Sequence, residues 1–187
     1  MGLVIAGGLR IFLTQQSTFL VNSLSHTLGK TPYSTEKTAK DSLIVTILTH
    51  GEGYHNFHHK FQFDYRNGIR WYHWDPTKWS IQLAALIGLA NKLKTVQFSE
   101  ILKARLQTET EKFYQSKFYE EKLNPLREKI IQSQVRFELL RNEYKNASRE
   151  KMDQIKSEMQ IAQIEFKANM KMWKVLIRSA NRSLYFS

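Results

Sequence analysis

The sequence predicts an all-α protein: a membrane-embedded helix, a short helical region carrying histidines, and a long helical, coiled-coil-like C-terminal extension. Three observations predict this. Residues 2–28 are largely apolar (LVIAGGL, IFL, FLV). Histidines 55, 58 and 59 recur at the i, i+3, i+4 spacing of one helix face. Beyond about residue 95 the chain has no glycine and a single proline, Pro125, with apolar residues three and four apart among Lys, Glu and Gln.

The first stretch is interrupted by Arg10, Gln15, Gln16 and Asn22. Such residues are costly in hydrocarbon unless they face protein or a cavity, so the helix is expected to have one polar, functional face. Met1-Gly2 runs straight into apolar residues, with no basic region and no small-residue cleavage site, so it does not read as a cleavable signal. The abrupt apolar start carries the expectation that a preceding part of the protein is missing. Next, Leu43–Thr49 (LIVTILT) is too short to span a bilayer and reads as a buried element. Trp79–Leu93 reads as an amphipathic helix rimmed by Trp71, Trp74 and Trp79, a density of aromatics suited to a membrane–water boundary.

In the second part, Leu126, Ile130, Phe137, Leu140 and Tyr144 form one apolar series, and Met152, Ile155, Met159, Ala162, Phe166 and Trp173 form another. The register shifts between Lys145 and Glu150. Either one helix of roughly 80 Å runs from Pro125 to about Ser179, or an antiparallel hairpin turns near Asn146-Ala147-Ser148. Pro125 after Asn124 suits a first helical residue, which places the end of the preceding helix near Leu123. The extension is expected to pack on itself or on a second copy.

Charge and composition narrow the chemistry. The net charge of +11 and pI near 9.8 call for a negatively charged partner. Lys and Arg are spread along the chain without a run of five, so nucleic acid is not the expected partner. With no cysteine, histidine and carboxylate are the strong metal ligands available. His55, His58 and His59 can converge on one point or on two adjacent points, while His26 can join them only through the fold. No HExxH motif is present, which removes the usual hydrolytic zinc site.

Here the motifs become specific. NSLSHTLGKTPY (22–33), GEGYHNFHH (51–59) and FDYRNGIRWYHWDPTKW (63–79) occur in that order. Together they resemble the C-terminal half of the acyl-CoA delta-9 desaturase family, membrane di-iron enzymes related to stearoyl-CoA desaturase. The resemblance covers residues 1–106 and leaves 107–187 as a charged helical extension. It implies an integral membrane enzyme shaped like a mushroom, with a cytosolic helical cap that holds the catalytic part on the cytoplasmic side. It also implies two irons held by nine ligands. His26 matches the ligand of the NSxxH motif, and His55, His58 and His59 match the three of HNxHH. Asn22 matches the asparagine that reaches one iron through a water.

The family's HRxxxxH and HRxHH boxes do not occur in this chain. Five expected ligands are therefore absent, and the chain alone is expected to be an inactive fragment that binds iron poorly. By the same resemblance Glu52 either bonds the second nitrogen of a ligand or caps the histidine helix, and Thr18 and Phe19 line an acyl channel. Arg66, Arg70 and Lys78 would attract an anionic head group or lipid phosphates. His50 and His73 match no ligand.

The implied reaction takes two hydrogens from a long saturated acyl-CoA or acyl-lipid chain, using oxygen and two electrons. The electrons would come from a donor of the cytochrome b5, ferredoxin or rubredoxin type. Two rival readings are a lipid hydroxylase of the same histidine-rich superfamily and a non-enzymatic, membrane-anchored coiled coil.

Overall fold

The computed structural model describes residues 1–185. They are helical, and among them β-pairing is confined to two isolated bridges, Lys30 with Asp41 and Asp41 with Tyr54. The chain divides into two compact units, Met1–Val96 and the part from Gln97 on. The division coincides with the change of composition near residue 95 and falls ahead of α5 (Phe98–Thr110), the helix that contains position 106.

The first unit opens with α1 (Gly2–Thr27), whose 26 residues are long and apolar enough to cross a membrane. Its large apolar side chains, among them Leu3, Ile5, Phe12 and Phe19, are exposed. Three of its hydroxyls bond within the helix: Thr14, Thr18 and Ser23 donate to the carbonyls four residues back, at 2.9, 3.1 and 2.7 Å. The helix stops at Gly29, whose φ of +134° and close approach to the Asp41 carbonyl exclude a side chain. Lys40 then serves the end of α1, its backbone N–H donating to Ser25 O and its ammonium to Thr27 O, both at 2.7 Å.

The short helices α2 (Leu43–Leu48), α3 (His55–Lys60) and α4 (Pro76–Leu86) follow. In α2 Val45 and Thr46 are buried as expected, whereas Leu43, Ile44, Ile47 and Leu48 are exposed, so a single face is covered. Both α2 and α4 end in Schellman turns. Gly51 N–H donates to Thr46 O after His50 at φ +55°, and Leu89 N–H donates to Ala84 O after Gly88 at φ +80°.

The helix expected over Trp79–Leu93 therefore begins and ends earlier. Asp75 caps it by accepting from Lys78 N–H at 2.9 Å, with Pro76 in the first turn. Gly53 lies so close to Thr46 that any Cβ there would overlap the Thr46 backbone.

In the second unit, α5 leads through a 3₁₀ turn (Glu111–Phe113) and a π-turn (Tyr119–Leu123) into α6 (Asn124–Asn146). The helix expected to end near Leu123 instead runs on into α6. The wider π-turn, in which Asn124 N–H bonds to Tyr119 O, absorbs the missing donor of Pro125. After Ala147 the chain reverses into α7 (Arg149–Tyr185). The hairpin is thus the alternative realised: Arg136 of α6 meets Glu158 of α7 across it. Leu102, Leu106, Phe113, Leu123, Leu126, Ile130, Trp173 and Ala180 form the core of this unit. The Glu138 carboxylate accepts from Ser99 N–H and Oγ at 2.9 and 2.6 Å, which caps α5 from the neighbouring helix.

Candidate metal centre

The site is built where the last turn of α1 meets α3. His26 sits in that last turn, and His55 opens α3. His55 Nε2 lies 3.2 Å from His26 Nε2 and 3.1 Å from His59 Nε2. Two imidazole nitrogens bound to one ion at about 2.0–2.1 Å are themselves about 2.9–3.4 Å apart, so this spacing fits a shared cation. His58 stands aside, its ring 6.4 Å from that of His55 and 5.9 Å from that of His59. The four imidazoles thus divide into a triad and a neighbour, the two-point arrangement the i, i+3, i+4 spacing allows.

Electrostatics favour the neutral, metal-binding form. Burial, then the neighbouring imidazoles, pushes His55 down from 6.5 to about 4. His59 is lowered as well, first by burial and then by the charge of Lys37. Neutral imidazole is the ligand that zinc, copper, nickel and iron sites take. The outer nitrogens differ among the three. His26 Nδ1 meets Thr38 Oγ1 at 2.8 Å, whereas the buried Nδ1 atoms of His55 and His59 have no hydrogen-bond partner.

The residues that support the triad were not singled out by the sequence. Asp41 Oδ1 accepts from Asn56 and Phe57 N–H at 2.8 and 3.2 Å, so it caps α3 from fifteen residues away. Burial raises this carboxyl to about 6, and the two amide hydrogen bonds oppose the rise. Asn56, buried between His55 and Phe57, spends its whole amide on the preceding loop. Its Oδ1 accepts from Tyr33 and Ser34 N–H, and its Nδ2 donates to Ser34 and Ala39 carbonyls. The one local signal was Asn at the second position of HNFHH. Nothing in the spacing named its partners.

The other expected residues lie as follows. Asn22 and Thr18 are exposed on α1, and Phe19 is 64% exposed. Glu52 accepts from Asn67 Nδ2 at 3.3 Å, and the helix N-terminus it was weighed for is capped by Asp41. Arg66 is bound by two nitrogens to the buried Asp64 carboxylate, at 2.8 and 2.6 Å. Arg70 is held to Tyr72 Oη at 2.9 Å with its guanidinium over that ring.

Lys78 is not available to a head group. It is 2% exposed, and its ammonium donates to the carbonyls of Gly68, Arg70 and His73, so it braces the 67–75 loop and faces no lipid. His50 is an exposed left-handed cap of α2, and His73 stacks on Tyr54 with ring centres 5.0 Å apart, so neither joins the triad.

No family model matches the chain. Acyl-CoA desaturase 1 of Saccharomyces cerevisiae is 48% identical over 116 residues, 62% of this chain and 23% of that protein. Over that segment the chain is similar to acyl-CoA desaturases. A probable acyl-CoA desaturase of Schizosaccharomyces pombe is 45% identical over 106 residues, 57% of this chain and 22% of that protein. Stearoyl-CoA desaturase 5 of Bos taurus is 38% identical over 103 residues, 54% of this chain and 31% of that protein. The chain thus spans about a quarter of the length of these relatives.

Proposed function

We propose that this chain supplies part of the metal site of a membrane fatty-acyl desaturase that introduces a cis double bond, at the delta-9 position, into a long saturated acyl chain. The single observation that carries the reading is the convergence of His26, His55 and His59 nitrogens from positions 29 and 33 residues apart in sequence. The three would share one iron. His58 would serve a second iron beside it, and Asn22 would reach the site through water.

Bound iron with O2 and two electrons supplies the oxidising power that an unactivated C–H bond requires. The chain's own residues orient and exclude. Thr18 and Phe19 line the path of the acyl chain, and the back-bonded Thr18 hydroxyl leaves its methyl outward. Arg70 carries most of the attraction for an anionic head group, because Arg66 is already neutralised by Asp64. In this reading α1 lies in the bilayer and α3 at its cytoplasmic side. Iron ligands from HRxxxxH and HRxHH boxes would complete the centre, so the chain by itself would not turn over. The electron donor would be a small redox protein of the cytochrome b5, ferredoxin or rubredoxin type.

For residues 107–187 the corresponding reading is a coiled-coil extension that self-associates. Its support is a second apolar row on α7, Ile161, Ile164, Met172 and Val175, exposed apart from the buried Ile155, Ala162 and Trp173.

Co-expression with a membrane segment bearing HRxxxxH and HRxHH tests the assignment, with iron content and oxidised products of stearoyl-CoA as readouts. Retained iron and an alkene are the expected outcome, both lost in His55→Ala. An alcohol product would assign the chain to the hydroxylases. A wild-type complex without iron would leave the membrane-anchored coiled coil as the better reading.

A further inference from the structure

We propose that Thr38 is a positioning residue that fixes the tautomer of His26, so that the nitrogen facing His55 is the one left free to bind a cation. The inference rests on the metal-centre reading above and extends it to a residue outside every histidine motif.

A neutral imidazole carries its proton on one nitrogen and a lone pair on the other. His26 Nε2 is the atom turned toward the triad, 3.2 Å from His55 Nε2. For that atom to donate its lone pair, the proton must reside on Nδ1, and Nδ1 lies 2.8 Å from Thr38 Oγ1. The hydroxyl oxygen accepts that proton's hydrogen bond.

Thr38 is itself exposed, but its position is set by backbone anchors on both sides. Asn56 grips the carbonyls of Ser34 and Ala39 at 2.8 Å each, and Lys40 N–H bonds Ser25 O at 2.7 Å, one residue before His26. Ala39 between them is fully buried. The hydroxyl that orients His26 is therefore held by Asn56, the residue next to His55. Outer hydrogen bonds of this kind fix the tautomer and orientation of ligating histidines.

The test uses the full chain in detergent with 15N-labelled histidine, His26→Gln to assign the resonance, and, for Fe(II) binding, the same chain co-expressed with a membrane segment bearing HRxxxxH and HRxHH. In the wild type the His26 proton is expected on Nδ1. Thr38→Val, equal in shape and lacking the hydroxyl, is expected to shift His26 toward a mixture of tautomers and to weaken Fe(II) binding about 10–100-fold. Thr38→Ser is expected to restore both. An unchanged His26 tautomer in Thr38→Val overturns the proposal, whatever Fe(II) does. Failure of the wild-type chain to take up Fe(II) when co-expressed with that segment, with the tautomer shifting as expected, would instead weaken the metal-centre reading while upholding the role of Thr38.

Discussion

The two units stand on different kinds of interaction. In the first, the buried apolar side chains are Ala39, Val45 and Phe57, while Ser25, Thr46, Asn56, Asp64, Asp75 and Lys78 are buried beside them. Each of the last four binds backbone groups of other segments. In the second unit the order is reversed, with Leu106, Leu123, Ile130 and Trp173 almost fully enclosed in one cluster. An apolar core tolerates small shifts of its members, because dispersion and area depend weakly on direction. Hydrogen bonds do not, because they weaken steeply with angle. The unit that gathers histidines is thus the one held by directional contacts.

The contrast is sharpened first by Trp173→Ala. Loss of the largest buried side chain, and of its bond to Glu109 at 2.8 Å, should cost about 4 kcal/mol in thermal or denaturant unfolding of the second unit. Hydrogen exchange around residues 25–60 should stay as in the wild type. A comparable loss of protection there would break the division into units.

Second, Asn56→Ala should cost about 2–3 kcal/mol, since it strands two amides and two carbonyls of the preceding loop. The amides of Tyr33 and Ser34 should lose protection. If they keep it, the loop is held by something other than this side chain.

The smallest effect is a matter of pH. His55 is lowered from 6.5 to about 4, so the folded state binds fewer protons than the unfolded one and stability rises as pH rises through this window. Asp41 is raised from 3.8 to about 6, so the folded state holds its proton longer and stability falls over nearly the same range. The two slopes oppose each other in the wild type. Asp41→Asn removes one of them, and the gain in stability from pH 4 to 6.5 should become steeper in urea titrations of the full chain. An unchanged slope would mean that Asp41 titrates at its ordinary value, and a flatter one that its value is lowered in the folded state.

How much could be read in advance differs in the same way. Apolar composition located α1, and repeating patterns located the two apolar series of the hairpin and the common face of His55 and His59, because periodicity registers helix faces directly. The choice of hairpin over continuous helix needed the packing of Ile130 and Trp173 into one core. Asp41, Thr38 and Asn56 act on segments 12–23 residues away, and such pairings leave no repeat to detect. Lys78 was misjudged for that reason: a lysine four residues past a tryptophan reads as solvated until three carbonyls are found around it. The start of α4 was legible in Asp75-Pro76 as a cap and first turn, a signal that the tryptophan pattern obscured.

The adjacent pair Lys40-Asp41 tethers two helix ends of opposite polarity. One residue serves the carbonyl end of α1, and the next holds the amide end of α3. A single peptide link, about 3.8 Å between α-carbons, therefore limits how far these ends can drift apart. Under the proposed membrane placement, a pull on α1 would pass into α3 through that link and through the loop gripped by Asn56, so His26 and His55 would move as a pair.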